Sequence, residues 1–296
     1  MPSYSRRTAR LEAMSATSES GSARLLHVAL IGAGRMGSAM ARGWLGDLGA
    51  AGITRLSVVE PHPAEDVIAA AEGGLIALNA PAEIADIVVL AVKPQGFGGA
   101  VDALKAWVGP QTLVVSIMAG VTLARIAGAL GSHKIARAMP NTPGAIGMGA
   151  TGYALSDACG DDEAVATARL LEPFGLVVGP LREEQMDAVT AVSGSGPAYV
   201  FLLVEALGEA GRSAGLDEAT AVALARETVI GAGALLGEFA ESPAELRKQV
   251  TSPGGTTAAA LAVLMSDGGM SDLMRRAVDA AAKRAAELAQ ETERKE

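Results

Sequence analysis

Apolar positions along the chain change their period once. Up to about residue 180 they gather in short runs at 26–31, 56–60, 87–92, 112–118 and 134–139, separated by stretches with helical spacing. The runs are rich in Val, Ile and Leu and soon give way to Gly, Pro or Asn. Runs that are apolar throughout, rather than alternating, suit parallel strands buried on both faces. The fold class expected for this part is therefore α/β, a mostly parallel, doubly wound sheet. Further runs at 151–155 and 176–178 predict additional strands around a helix over 161–172, with their order left open.

Beyond residue 183 the period becomes helical, through 186–192, 198–214, 218–236, 243–249, 256–265 and 270–289. The pattern predicts an α/β domain over 25–183 and an all-α domain over 184–296. The stretches 199–207 and 219–236 are so apolar that a domain of this size could hardly shield them alone, which predicts an oligomeric interface. Packing on the chain's own α/β domain is the alternative. The apolar stretch 188–211 is interrupted by Ser193, Ser195, Pro197 and Glu205, so no membrane span is expected. Residues 1–24, rich in Ser, Arg and Ala, lack a continuous apolar segment and read as a disordered extension rather than a secretory signal.

Composition narrows the partners. Half the residues are hydrophobic but only 3% are aromatic, so the apolar mass is of small side chains suited to close helix packing. A net charge of −9 without a basic stripe argues against a nucleic-acid partner, and an anionic ligand must be met by local donors. The lone Cys159 precludes an intramolecular disulfide and a multi-cysteine metal site, and fits a reducing cytoplasm. No metal is expected.

The segment 28–37 reads V-A-L-I-G-A-G-R-M-G and places Gly32, Gly34 and Gly37 in G-x-G-x-x-G spacing directly after the first strand. Gly32 permits a tight turn, Gly34 lets a pyrophosphate approach the backbone, and Gly37 lets the next helix pack on the strand. Arg35 and Met36 lie at the mouth of this dinucleotide site. Glu60, at the end of the second strand, stands where an acid bonds the adenosine ribose, which favours NADH over NADPH. His62 nearby is the one residue placed to meet a 2′-phosphate instead. The turn Ala91-Val92-Lys93-Pro94-Gln95 follows another strand, and Lys93 there has three open roles: a phosphate, a substrate carboxylate or solvent. Asn141, in the rigid run M-P-N-T-P, is placed to orient the nicotinamide carboxamide or an ordered water.

Two clusters interrupt the helical domain, S-G-S-G-P at 193–197 and T-S-P-G-G-T-T at 251–257. The second offers Ser252, Thr256 and Thr257 hydroxyls, close backbone access at Gly255, and the free N–H groups of a helix start, all suited to a small carboxylate. Ordinary helix capping uses the same residues, and taken alone the cluster reads that way. His27, His62 and His133 are the only histidines, and none falls in an acid/base constellation. Alcohol oxidation needs such a base. Reduction of a preprotonated imine needs only orientation of donor and acceptor, with Thr257 in reach of the ring nitrogen.

Together, D-A-V-T-A-V-S-G-S-G-P-A-Y-V-F-L-L-V-E-A at 187–206, V-T-S-P-G-G-T-T at 250–257, V-K-P-Q and M-P-N-T-P resemble the pyrroline-5-carboxylate reductases, over about residues 25–291. The resemblance implies an N-terminal Rossmann domain and an all-α C-terminal dimerisation domain that interleaves with a second copy, often in a decamer of five dimers. It also implies NAD(P)H-dependent reduction of a cyclic imino acid to L-proline, the last step of proline biosynthesis. By position, Ser252, Gly255, Thr256 and Thr257 would bind substrate, with Thr257 and Lys93 closest to the chemistry. Gly32, Gly34, Arg35, Met36, Gly37, Ala91, Val92, Lys93, Pro94 and Asn141 would line the cofactor. Glu60 departs from the Ser, Thr or Arg common in members that prefer NADPH. Two other readings are open to the sequence. A β-hydroxyacid dehydrogenase would need a helical lysine that 256–265 lacks, and a non-catalytic dinucleotide-binding regulator would not need Ser252, Thr256, Thr257 and Asn141 intact.

Overall fold

The computed structural model describes residues 26–294, and the extension assigned to residues 1–24 lies outside the described residues. The apolar runs form one sheet of β1 (Leu26–Ile31), β2 (Ile53–Val59), β3 (Ala77–Leu78), β4 (Ile87–Leu90), β5 (Leu113–Ser116), β6 (Ile135–Met139), β7 (Gly149–Leu155) and β8 (Gly175–Leu181). Their order is β3-β2-β1-β4-β5-β6-β7-β8. All neighbours run parallel except β6 and β7. The link 140–148 between those two is too short for a parallel crossover, so the chain must turn back.

Helices α1 (Arg35–Gly46), α2 (Glu65–Glu72), α3 (Phe97–Lys105), α4 (Leu123–Leu130) and α5 (Asp161–Leu171) connect the strands. Successive strand side chains point to opposite faces, and both faces are core. Val28, Leu30 and Val89 join Trp44 and Phe174 on one face, while Ala29, Val88 and Leu90 join Phe97, Leu104 and Ile126 on the other. Trp44 is fully buried, so its indole N–H needs a partner, and it donates to the Leu170 carbonyl at 2.8 Å. Its ring meets Phe174 edge-on, with centroids 5.9 Å apart.

Three elements differ from the sequence expectation. The edge strand β3 was not anticipated, because two residues carry no period. Strand β2 begins at Ile53 rather than 56, since Thr54 and Arg55 are exposed and break the apolar run. The helix expected over 186–192 is an α-turn, Met186–Val189, that widens into a π-turn, Thr190–Gly194, closed by the Ser195 N–H on the Thr190 carbonyl at 2.8 Å.

The chain clusters into two compact units, one running through Pro197 and resuming at Ala277, the other Ala198–Arg276. Helices α6 (Gly196–Ser213), α7 (Glu218–Glu238), α8 (Pro243–Gln249), α9 (Thr256–Leu264) and α10 (Met270–Arg294) complete the fold. Helices α6 and α7 touch through small residues, Gly208 and Gly211 against Ala225 and Ala221. Away from that contact the second unit leaves its large side chains in the open, with Phe201, Leu202 and Val263 62%, 63% and 71% exposed. Length and composition alone would let Glu183–Ser213 and Glu218–Glu238 cross a bilayer. In the first unit the end of α10 packs at Gly120, whose φ of +71° lets its backbone lie against that of Ala289.

Candidate functional site

The strand order reverses between β1 and β4, and the loops leaving their carboxyl ends bound the crevice where α/β sheets hold ligands. The glycine turn occupies this crevice. Gly32, with φ +93°, sits so close that an added Cβ would lie 2.8 Å from the Ala91 carbonyl oxygen, and a Cβ on Gly37 would strike the Gly32 carbonyl. Gly34 differs: a Cβ there meets nothing within 4 Å and would stand in the open mouth of the turn. Helix α1 starts at Gly34 without a side-chain cap, so the first N–H groups of its opening turn, at Arg35, Met36 and Gly37, face that space. An open cradle at a helix start, whose first N–H groups have no intrahelical partner, fits a pyrophosphate.

Beside it lies an apolar cleft lined by Ile31, Val59, Pro61, Val92, Ala100 and Ala103, with Glu60 at its rim. Almost without polar groups, it suits the apolar face of a ring such as adenine. The Glu60 carboxylate accepts from the Ala33 N–H at 2.7 Å and the His62 N–H at 2.9 Å, so a negative charge is fixed where the adenosine ribose would lie. Sequence reasoning missed Asn79. In the left-handed region at φ +48°, it donates from Nδ2 to the Glu60 carbonyl and accepts the Glu60 N–H at Oδ1, both at 2.9 Å. It thereby continues the β2–β3 pairing by one step and holds the backbone of Glu60. The signal available was an Asn, tolerant of that conformation, just after an apolar pair.

Ala91 is hydrogen-bonded to β1 through its N–H on the Ile31 carbonyl at 2.8 Å, which sets Val92, Lys93 and Pro94 next to the glycine turn. Lys93 is exposed. Asn141 follows β6, with its side chain engaged at both ends: Oδ1 accepts the Ala150 N–H at 2.9 Å and Nδ2 donates to the Ser193 carbonyl at 3.1 Å. It ties the π-turn to the sheet and keeps one amide hydrogen for another partner.

One histidine is paired with an acid: His27 Nδ1 lies 3.5 Å from Glu83 Oε1, away from the glycine turn. His27 is at the amino end of β1, the opposite edge from the glycine turn, with Nε2 2.9 Å from the Ser57 hydroxyl. Burial, aided by the nearby Arg55 charge, holds its pKa below the ordinary value. His133 precedes β6 at that same edge, and His62 is exposed beside Glu60.

The second unit carries Ser252, Gly255, Thr256 and Thr257. The neighbouring helices are capped by side chains, Asp217 accepting the Thr220 N–H for α7 and Ser242 forming a reciprocal pair with Glu245 for α8. Helix α9 is not: its N-cap is Gly255, with no side-chain cap. The capping role that the residues alone suggested is therefore not the one they play. Gly254, at φ +71°, and Gly255, whose Cβ position would collide with the Ser252 hydroxyl, fold the loop back on the helix start. Hydroxyls of Ser252, Thr256 and Thr257 and the N–H groups of the first turn gather there without partners among the described residues. A small carboxylate satisfies this donor set.

The chain is similar to known proteins along most of its length. A family model described as pyrroline-5-carboxylate reductase dimerisation matches residues 183–288, and one described as NADP oxidoreductase, coenzyme F420-dependent, matches 27–120. Pyrroline-5-carboxylate reductase of Pseudomonas aeruginosa is 38% identical over 270 residues, 89% of this chain and 97% of that protein. The solved pyrroline-5-carboxylate reductase of Coxiella burnetii superposes with a TM-score of 0.79 at 35% identity, covering 88% of this chain and 98% of its own. The Plasmodium falciparum pyrroline carboxylate reductase, solved with NADP bound, gives 0.72 at 27% identity, covering 89% and 98%. The chain belongs to the pyrroline-5-carboxylate reductase family.

Proposed function

We propose that this chain reduces 1-pyrroline-5-carboxylate to L-proline with a reduced nicotinamide dinucleotide. The observation that carries the reading is the uncapped start of α9, an anion-binding donor set with no structural duty, in a chain that also carries an open dinucleotide turn. The α1 N–H groups hold the pyrophosphate, Glu60 the adenosine ribose, and Ala91 to Pro94 with Asn141 shape the nicotinamide end. Ser252, Gly255, Thr256 and Thr257 hold the substrate carboxylate, and the Thr257 hydroxyl bonds the ring nitrogen. When bound, the dinucleotide supplies a hydride to the imine carbon. The substrate arrives protonated on nitrogen, the C=N electron pair settles there, and no side chain has to remove a proton. That agrees with the absence of a histidine base at either donor set. Lys93, at the crevice, adds a cation in a protein of net charge −9.

Two measurements test the assignments. The carboxylate-free ring 1-pyrroline is expected to lose about a hundredfold in kcat/KM, two charge-assisted hydrogen bonds at about 1.5 kcal/mol each. Equal rates for the two imines would contradict the role of the α9 start. Glu60, charged and fixed at the rim of the adenine cleft, supports NADH as the preferred donor, because a 2′-phosphate would meet it. Glu60→Ala is expected to narrow the NADH to NADPH preference about tenfold, or about 1.4 kcal/mol. Unchanged relative KM values would remove Glu60 from the ribose site.

The exposed apolar helices of the second unit and the dimerisation model matching 183–288 support a homodimer; the decamer of five dimers is proposed on the family resemblance alone. The apolar residues of helix α7 are not confined to one face, so a second chain has more than one face to cover. A cytoplasmic location fits the single cysteine.

A further inference from the structure

The turn at 193–197 is assigned no contact with cofactor or substrate above, yet it is tied to β6 with unusual care. Ile135, Arg137 and Met139 share one face of that strand. Arg137 has a side chain only 7% exposed in the middle of an otherwise apolar strand, and a buried guanidinium requires partners. It finds two on the segment that leads to the turn: Nη1 lies 3.2 Å from Glu183 Oε1 and Nη2 3.5 Å from Asp187 Oδ1. Glu183 Oε1 also accepts the Leu123 N–H at the start of α4, at 2.8 Å. Further along, the Cβ position of Gly194 lies 2.8 Å from the Met139 methyl carbon, and Asn141 donates to the Ser193 carbonyl. The segment 183–194 thus lies along β6, anchored by charge at one end and by an amide at the other. The second end is at the carboxyl edge of the sheet, in the half that carries the nicotinamide in a doubly wound dinucleotide fold. The π-turn is a costly local geometry, of the kind kept where backbone must be aimed.

We propose that Arg137, acting through Asp187 and Glu183, is a positioning residue for the reduction: it fixes the turn at Ser193 and Gly194 against the nicotinamide side of the sheet. The inference rests on the reductase reading above. Arg137 is assigned to neither ligand, and the strands that lead into the adenosine and pyrophosphate residues, β1 and β2, lie at least three strands from β6 in the sheet order. Loss of the anchor should therefore appear in kcat and not in cofactor affinity.

The test compares the full-length chain with Asp187→Asn, which keeps shape and removes one charge, and Arg137→Lys, which keeps a cation but not the two-pronged geometry. Read out are kcat at saturation of both substrates, NADH dissociation constant by equilibrium fluorescence, and Tm. Asp187→Asn is expected to lower kcat by more than threefold with the NADH constant within twofold of the wild type, and Arg137→Lys, which loses the fork to both carboxylates, to lose at least as much. If Asp187→Asn does not fold, Glu183→Gln carries the same measurement. A kcat loss of threefold or less, whatever Tm does, overturns the proposal and leaves Arg137 purely structural, and so does a kcat loss matched by weaker NADH binding. Wild-type turnover, measured first, decides the reductase reading by itself, and its absence overturns both.

Discussion

Replacing Gly34 by alanine is expected to weaken dinucleotide binding more than a hundredfold while leaving Tm unchanged or slightly raised. The two halves of that expectation come from one geometric fact. A Cβ at Gly34 meets no atom of the protein within 4 Å, and the backbone there, at φ −66°, is one that any residue adopts. Folding therefore loses nothing, and the narrower unfolded ensemble of alanine adds up to about 1 kcal/mol. The same methyl stands where a pyrophosphate must approach the α1 N–H groups. Losing two hydrogen bonds to a charged group, at about 1.5 to 3 kcal/mol each, corresponds to a factor of roughly 10² to 10⁴. Gly37→Ala is the contrasting variant, since its Cβ falls on the Gly32 carbonyl and must disturb the turn itself. Calorimetric titration with NADH beside a thermal melt separates the cases. Wild-type affinity in the Gly34 variant would show that the pyrophosphate lies elsewhere.

Thr257→Ala should lower kcat/KM for pyrroline-5-carboxylate about ten- to a hundredfold, again with Tm preserved. Its hydroxyl has no partner among the described residues, and alanine is the better helix former at that position, so the fold does not depend on it. What the hydroxyl contributes is one hydrogen bond to a charged substrate, about 1.5 to 3 kcal/mol. Thr257→Ser should recover most of the activity, because the hydroxyl and not the methyl is assigned to the ring nitrogen. Wild-type kcat/KM in the alanine variant would refute the assignment.

The legible parts of the chain were those where a side chain's environment is set by its own strand or turn. Strands β1, β4 and β5 are buried on both faces, so their positions read directly from continuous apolar runs. The glycine triad was legible for a similar reason, since Gly32 and Gly37 answer local steric demands that the structure shows, while Gly34 stands in open space. What stayed hidden depends on partners distant in sequence. Asn79 matters through Glu60, nineteen residues away, and Arg137 through Glu183 and Asp187, which lie 46 and 50 residues further on. Arg137 was read simply as part of the apolar run 134–139, and its need for partners shows only in the structure. At the α9 start the residues alone favoured ordinary capping, and only the structure, with a glycine at the cap, left the Ser and Thr hydroxyls free for a ligand. The widening of 190–194 into a π-turn carries no periodic signature at all.

The central claim, imine reduction without a histidine base, is tested most directly by following cofactor oxidation and proline formation together in one steady-state reaction containing pyrroline-5-carboxylate and either NADH or NADPH. One proline formed per dinucleotide oxidised, with the higher kcat/KM for NADH, is the predicted result; no proline with either cofactor would contradict the account.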